Sequence, residues 1–190
     1  MTTAYEEHVP GTGTFSLVAV DPARDAELMH GWVTQPANRF WGMTDHTVEQ
    51  VQEIYEFVDS LPHHFAYLIQ LNGNPIGIFQ TYEPAHDPVG ECYAALPGDI
   101  GLHLLLAPGE HRVPRLTPAV VPLLVRFVLR DPAKDRVVVE PDVRNHRAVR
   151  RMELHGFVPG PQIELPNKCA QLAFLTRDRF EAVLGPASSS

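Results

Sequence analysis

The stretch RVVVEPDVRNHRAVRRMELHGF, Arg136 to Phe157, carries the most structural information in the chain. Val137, Val138 and Val139 form an unbroken apolar run between charged ends. Such a run predicts a strand covered on both faces, hence a central one in a sheet. Pro141 closes the strand, Asn145 supplies a helix cap, and Gly156 gives a glycine stop ten residues after the helix begins. Strand followed at once by helix is the unit of an α/β fold.

The pattern extends in both directions. Upstream, Asp99 to Ala107 (DIGLHLLLA) reads as a second buried strand, and Thr117 to Leu129 as an apolar helix with Pro118 in its first turn and Pro122 one turn in. Downstream come strands at Phe157-Val158 and Lys168 to Thr176, then a short helix from Arg177 to Leu184. Towards the start, Thr14 to Val20 alternates as a strand, and Asp21-Pro22 opens a helix to about Val33. An aromatic connection, Gln35 to Asp45, leads to a helix from Thr47 to Leu61 whose Thr47 and Gln50 have capping-box spacing. Phe65 to Leu71 and Ile76 to Tyr82 flank Asn72-Gly73 as a hairpin, and Glu83 to Gly98 is a long proline-containing loop. The sum is a single α/β domain with a mixed sheet of about seven strands, with residues 1–13 and 185–190 as flexible tails.

Composition narrows the chemistry. The 190 residues are 44% apolar and 20% charged, an ordinary globular balance. The net charge of −8 is unevenly spread: −13 before Arg112, +6 from Arg112 to Arg151, and −1 thereafter. That argues against a nucleic-acid binder, which is basic across its domain, and suits a site for one polyanionic small molecule; a solvated basic helix face is the alternative. Two distant cysteines, Cys92 and Cys169, exclude a disulfide framework and a zinc finger. His63, His64, His86 and His155 lack metal-ligand spacing, so no metal is expected. No apolar run reaches the roughly 20 residues of a membrane span, and Met1 to Gly13 has no secretory core, so a cytoplasmic location away from membranes is expected.

The Asn145-His-Arg-Ala148 to Gly156-Phe157 segment resembles the cofactor-binding helix of the GNAT superfamily of acyl-CoA-dependent N-acyltransferases. Three further segments resemble the siderophore-biosynthesis branch: Arg39-Phe40-Trp41-Gly42-Met43, Asp99-Ile100-Gly101-Leu102-His103, and Val138 to Asn145 through Glu140-Pro141-Asp142. The resemblance runs from about Phe15 to Thr176. It implies a mostly antiparallel central sheet with splayed central strands, acetyl-CoA or succinyl-CoA as co-substrate, and a lysine, N-hydroxylysine or N-hydroxycadaverine side-chain nitrogen as acceptor. It leaves monomer or homodimer open. An aminoglycoside-type N-acetyltransferase and a non-catalytic CoA-binding protein of the same fold are the alternatives.

Within that resemblance His103 is the expected general base, since an imidazole titrates near neutral pH; otherwise it is a packed core histidine. Asp142, just after an apolar strand, either binds the acceptor ammonium, supports His103, or simply caps the next helix. The backbone at Leu104, Leu105 and Leu106 is expected to pair with pantetheine and to face the thioester oxygen, while alternate side chains pack as core. Asn145 is expected at the pantetheine amide, and Arg150, with Arg147 or Arg151, near the phosphates. Phe40 and Trp41 are expected to wall the acceptor or to anchor the core. Two departures stand out. The family's glycine-rich phosphate loop is replaced by His111-Arg112-Val113-Pro114-Arg115, in which Pro114 has no N–H, so His111, Arg112 and Arg115 are expected to hold phosphate through side chains. The position seven after Asn145, where relatives carry a tyrosine acid, is Met152.

Overall fold

A computed structural model describes residues 2–107 and 116–184, which gather into two compact units. The first holds residues up to Thr81 together with His103 to Leu116; the second holds Tyr82 to Leu102 and the chain from Thr117 on. Eight strands are present: β1 Thr3–Val9, β2 Gly13–Ala19, β3 His64–Leu71, β4 Asn74–Tyr82, β5 Asp99–Leu106, β6 Arg136–Val139, β7 Val158–Leu165 and β8 Lys168–Thr176. The helices are α1 Pro22–Val33, α2 Val48–Ser60, α3 Leu116–Leu129, α4 His146–Leu154 and α5 Arg177–Leu184. Strand order is β1-β2-β3-β4-β5-β6-β8-β7, mostly antiparallel, with β5 and β6 parallel.

In the first unit the caps form as the sequence predicts. Asp21 accepts from the Arg24 amide at 3.1 Å, and Asp25, buried on the next turn, takes the Arg24 guanidinium through both oxygens. Thr47 and Gln50 bond reciprocally at 3.3 and 2.9 Å. Asn72 (φ 50°) and Gly73 (φ 80°) make the tight β3–β4 turn, where positive φ favours this pair. Met29, Val33, Val51, Tyr55, Leu68, Ile78 and Leu105 pack together as its core.

One expectation fails here. Residues 3–9, read as a flexible tail, form β1 and pair with β2 from Thr3↔Val18 to Val9↔Gly13, which raises the strand count to eight. TAYEEHV lacks an apolar face because β1 lies at the sheet's end and buries none of its residues fully, so it carries no alternating signal. Residues 185–190, the other expected tail, lie outside the described residues.

In the second unit, β5 and β6 are joined at their starts by a buried ion pair. Arg136 donates to both Asp99 oxygens at 2.7 and 2.8 Å, and the Tyr93 hydroxyl donates to Oδ2 at 2.8 Å. Gly101 on β5 is demanded by close approach: a Cβ there would lie 2.1 Å from the Tyr82 ring. Val138, Ile163, Ala170 and Leu172 pack with Tyr82 and Val89, and α3 buries most of its side chains despite Pro122. Asn145 caps α4 by accepting from the Ala148 amide at 3.2 Å, and the helix closes through Phe157 N to Met152 O at 3.0 Å.

Candidate active site

His103 lies half-buried on β5, in the first unit. Its Nδ1 is 3.3 Å from Oε1 of Gln80, a buried side chain on β4. An amide oxygen only accepts, so this contact requires a proton on Nδ1. The Trp41 ring meets the imidazole edge-on, with centroids 6.3 Å apart and planes at 77°. Trp41 ends a short six-residue helical segment, Pro36–Trp41, and packs against the core of that unit, the anchoring role expected of it. Phe40 lies under the Arg39 guanidinium, 4.4 Å from ring centre to Cζ. The Tyr55 hydroxyl, from α2, is buried without a hydrogen-bond partner; its polar neighbours are Gln80 and Trp41, and burial pushes its phenol pKa up.

Alternation along β5 sets which group faces where. His103 and Leu105 share one face, and Leu105 is buried in the core, whereas Leu104 and Leu106 are half-buried on the other. The β5–β6 ladder runs only from Asp99↔Arg136 to Gly101↔Val138. Among the described residues, the β5 backbone beyond Gly101 therefore has no pairing with β6.

Asp142 follows β6 in the second unit. Its oxygens receive the Arg144 guanidinium at 2.9 and 2.6 Å and the Arg144 amide at 2.8 Å. The Arg144 guanidinium, with help from the amide and Lys168, holds the Asp142 carboxyl at about 2, against the opposing effect of burial. Asp142 is thus a fixed anion and no proton acceptor near neutral pH. Next to it, the buried Glu140 accepts from the Tyr82 hydroxyl at 2.7 Å, and Lys168 Nζ donates to the Glu140 backbone oxygen at 2.7 Å. The Asn145 amide N–H donates to the Asp142 backbone oxygen at 2.8 Å.

Arg147, Arg150 and Arg151 of α4 line a groove of about 340 Å³ with Thr117, Pro118, Leu154 and His155. Among the described residues none of the three arginines has a carboxylate partner, and burial together with Arg147 lowers the pKa of Arg151. His111, Arg112 and Arg115, expected to bind phosphate, lie outside the described residues.

Each unit taken by itself offers groups of the kind an acyl-CoA needs: among the described residues the β5 backbone beyond Gly101 has no β6 partner and suits an amide-bearing pantetheine arm, and the α4 arginines have no carboxylate partner and suit phosphates. Asn145 uses Oδ1 for its cap and retains its amide hydrogens for a carbonyl. Among the described residues no group of three His, Cys, Asp or Glu side chains is arranged to hold a metal ion, and no helix is long and apolar enough to cross a membrane.

Two partners of the expected residues were missed by sequence reasoning. Gln80 was visible as the polar residue directly after Ile76-Gly-Ile-Phe79, and Arg144 as the cation two residues after Asp142. The chain places His103 in the first unit and Asp142, Asn145 and Arg150 in the second.

Residues 21–165 match the acetyltransferase (GNAT) domain family. The chain is 28% identical over 170 residues to the N(6)-hydroxylysine O-acetyltransferase of Escherichia coli, covering 87% of this chain and 53% of that protein. It is 32% identical over 171 residues to an N(5)-hydroxyornithine:cis-anhydromevalonyl coenzyme A-N(5)-transacylase of Beauveria bassiana, covering 88% of this chain and 37% of the relative. It therefore spans about half or less of the length of these relatives. A solved aminoglycoside acetyltransferase, AAC(6')-Ib in complex with coenzyme A, superposes with a TM-score of 0.78 at 27% identity, covering 90% of this chain and 99% of that one.

Proposed function

Because the chain belongs to the GNAT acetyltransferase family, we propose that it transfers an acyl group from acyl-CoA to a side-chain nitrogen of lysine, N-hydroxylysine or a related N-hydroxydiamine, in the cytoplasmic assembly of a siderophore. The observation that carries this reading is His103, whose Nδ1 is engaged by Gln80 and whose ring lies beside Trp41. Relatives named for hydroxylysine and hydroxyornithine support the acceptor class.

In this reading the acyl-CoA supplies the activated carbonyl and the thiolate leaving group. The backbone edge at Leu104, Leu105 and Leu106 holds the pantetheine arm, and an N–H there donates to the carbonyl oxygen as charge develops on it. Asn145 and Arg150 hold the cofactor, and Phe40 and Trp41 flank the acceptor's aliphatic chain. His103 takes the proton from the acceptor nitrogen through Nε2. A hydroxylamine is mostly neutral at pH 7, so one imidazole suffices, which suits a chain carrying Met152 where relatives place an acid. Asp142, ionised at any working pH, contributes a fixed negative charge to acceptor binding rather than a proton site.

The test is thiol release and product mass with one acyl-CoA and a panel of acceptors: lysine, N-hydroxylysine, N-hydroxycadaverine, an aminoglycoside and a neutral hydroxylamine. Preference for the N-hydroxylated amines is expected, and equal rates on the neutral compound reject electrostatic acceptor selection. Similarity to the aminoglycoside acetyltransferase structure supports a second reading, which a dominant rate on the aminoglycoside would establish.

A further inference from the structure

We infer that Gln80 is a positioning residue that fixes the tautomer of His103, and that the Tyr55 hydroxyl in turn fixes the orientation of the Gln80 amide. This rests on the reading of His103 as the base. A neutral imidazole can carry its proton on either ring nitrogen, and only the tautomer with Nδ1–H presents a lone pair at Nε2. Gln80 selects that tautomer if its oxygen, not its NH₂, faces Nδ1, as it does at 3.3 Å.

An amide has two ends of nearly the same shape, so its orientation must be set by its other neighbours. Gln80 is buried on β4, where bulk water does not do this. The polar neighbour from α2 is Tyr55, itself 1% exposed, whose hydroxyl is buried without a hydrogen-bond partner and has Gln80 and Trp41 as its polar neighbours. A buried hydroxyl left without a partner is costly, and such a group in a folded protein calls for an explanation. Its oxygen accepts readily from the Gln80 NH₂, and that contact turns the amide oxygen towards His103. Trp41, edge-on to the imidazole and a neighbour of the same phenol, completes the enclosure. The three groups come from α2, β4 and β5, all within the first unit.

The experiment combines long-range ¹H–¹⁵N spectra of the His103 ring, assigned with His103→Ala, with kcat and KM for wild type, Gln80→Leu, Gln80→Glu and Tyr55→Phe. Wild type is expected to show a protonated Nδ1. Gln80→Leu, of similar volume, should move a major fraction of the proton to Nε2 and lower kcat by roughly tenfold or more, with the KM for acyl-CoA unchanged. Gln80→Glu retains an acceptor and should restore the Nδ1–H tautomer and part of the rate. Tyr55→Phe should shift the tautomer ratio in the same direction as Gln80→Leu, to a smaller extent. A wild-type ring protonated at Nε2, or a Gln80→Leu ring still protonated at Nδ1, overturns the inference. If Gln80→Leu fails to fold, the tautomers of Gln80→Glu and Tyr55→Phe decide: the first must match wild type and the second must depart from it. Full activity of His103→Ala would instead overturn the base assignment, an outcome independent of where the wild-type proton sits.

Discussion

The Arg144 guanidinium closes on both carboxylate oxygens of Asp142, at 2.9 and 2.6 Å, while the Arg144 backbone amide donates to the same carboxylate. One residue thereby pairs with a carboxylate that the β6–α4 turn has buried. Asp142 titrates at about 2 when folded, below the ordinary carboxylate value. Its contribution to stability is fully present above the unfolded value of roughly 4 and is lost as pH falls through the folded one. Arg144→Ala should move the acid-unfolding midpoint to higher pH, measured by circular dichroism between pH 5 and 2. An unchanged midpoint would mean that the carboxylate is held by its other contacts.

His103→Ala should lower kcat by about 10²–10⁴ and leave acyl-CoA affinity nearly unchanged, because the proposed cofactor contacts are made by other groups. Steady-state kinetics and calorimetry on one preparation separate the two constants. A wild-type rate across pH 6 to 9 would make His103 a packing residue.

Asp142→Asn preserves volume and removes the charge. An increase in acceptor KM with kcat intact is expected if the carboxylate selects a cationic acceptor. A fall in kcat alone would assign Asp142 to the chemical step.

If arginine side chains rather than glycine amides meet the phosphates, as proposed, acyl-CoA affinity should fall with rising salt. Replacing Arg147 and Arg150 together by Ala should weaken binding and flatten the salt dependence. Titration at low and high ionic strength reads both, and Arg112→Ala and Arg115→Ala extend the test to the loop. Insensitivity to salt and to all four changes would remove the groove from the cofactor site.

Gly101→Ala places a methyl 2.1 Å from the Tyr82 ring, which is buried beside Val89 and Val138. A loss of about 1–3 kcal/mol is expected from overpacking, visible as a lower melting temperature. Combining it with Tyr82→Leu should recover part of that loss, although the Tyr82–Glu140 bond at 2.7 Å is then absent.

Elements whose local chemistry agrees with their fold were legible in the sequence. Thr47 with Gln50, Asn72 with Gly73, and Asn145 with Phe157 each carry a short-range signal that needs no tertiary context, and each formed as read. β1 was not legible, because a strand at the sheet's end needs no apolar face and its pairing with β2 is specified by the partner. The site divides along the same line. His103 stands out as a titratable side chain in an apolar strand. Its contact with Gln80 depends on the pairing of strands, and Tyr55 reaches them from a helix far off in sequence, so neither contact has a local signature. Likewise Asp142 was visible, yet its readings as acceptor ligand, support for His103 or helix cap could be weighed only once Arg144 was seen folding back on it.

The first strand bears on how the protein behaves in solution. β1 covers one edge of β2, whose Phe15, Leu17 and Val18 are buried. Deleting residues 1–9 would expose a row of backbone amides and carbonyls on a strand with β-forming, apolar residues, a template for joining copies edge to edge. The acidic and polar side chains of Tyr5-Glu6-Glu7-His8 instead present like charges to any approaching copy. Shortened versions of the chain should therefore show concentration-dependent light scattering well before they lose secondary structure, and tags are best placed where β1 can still pair.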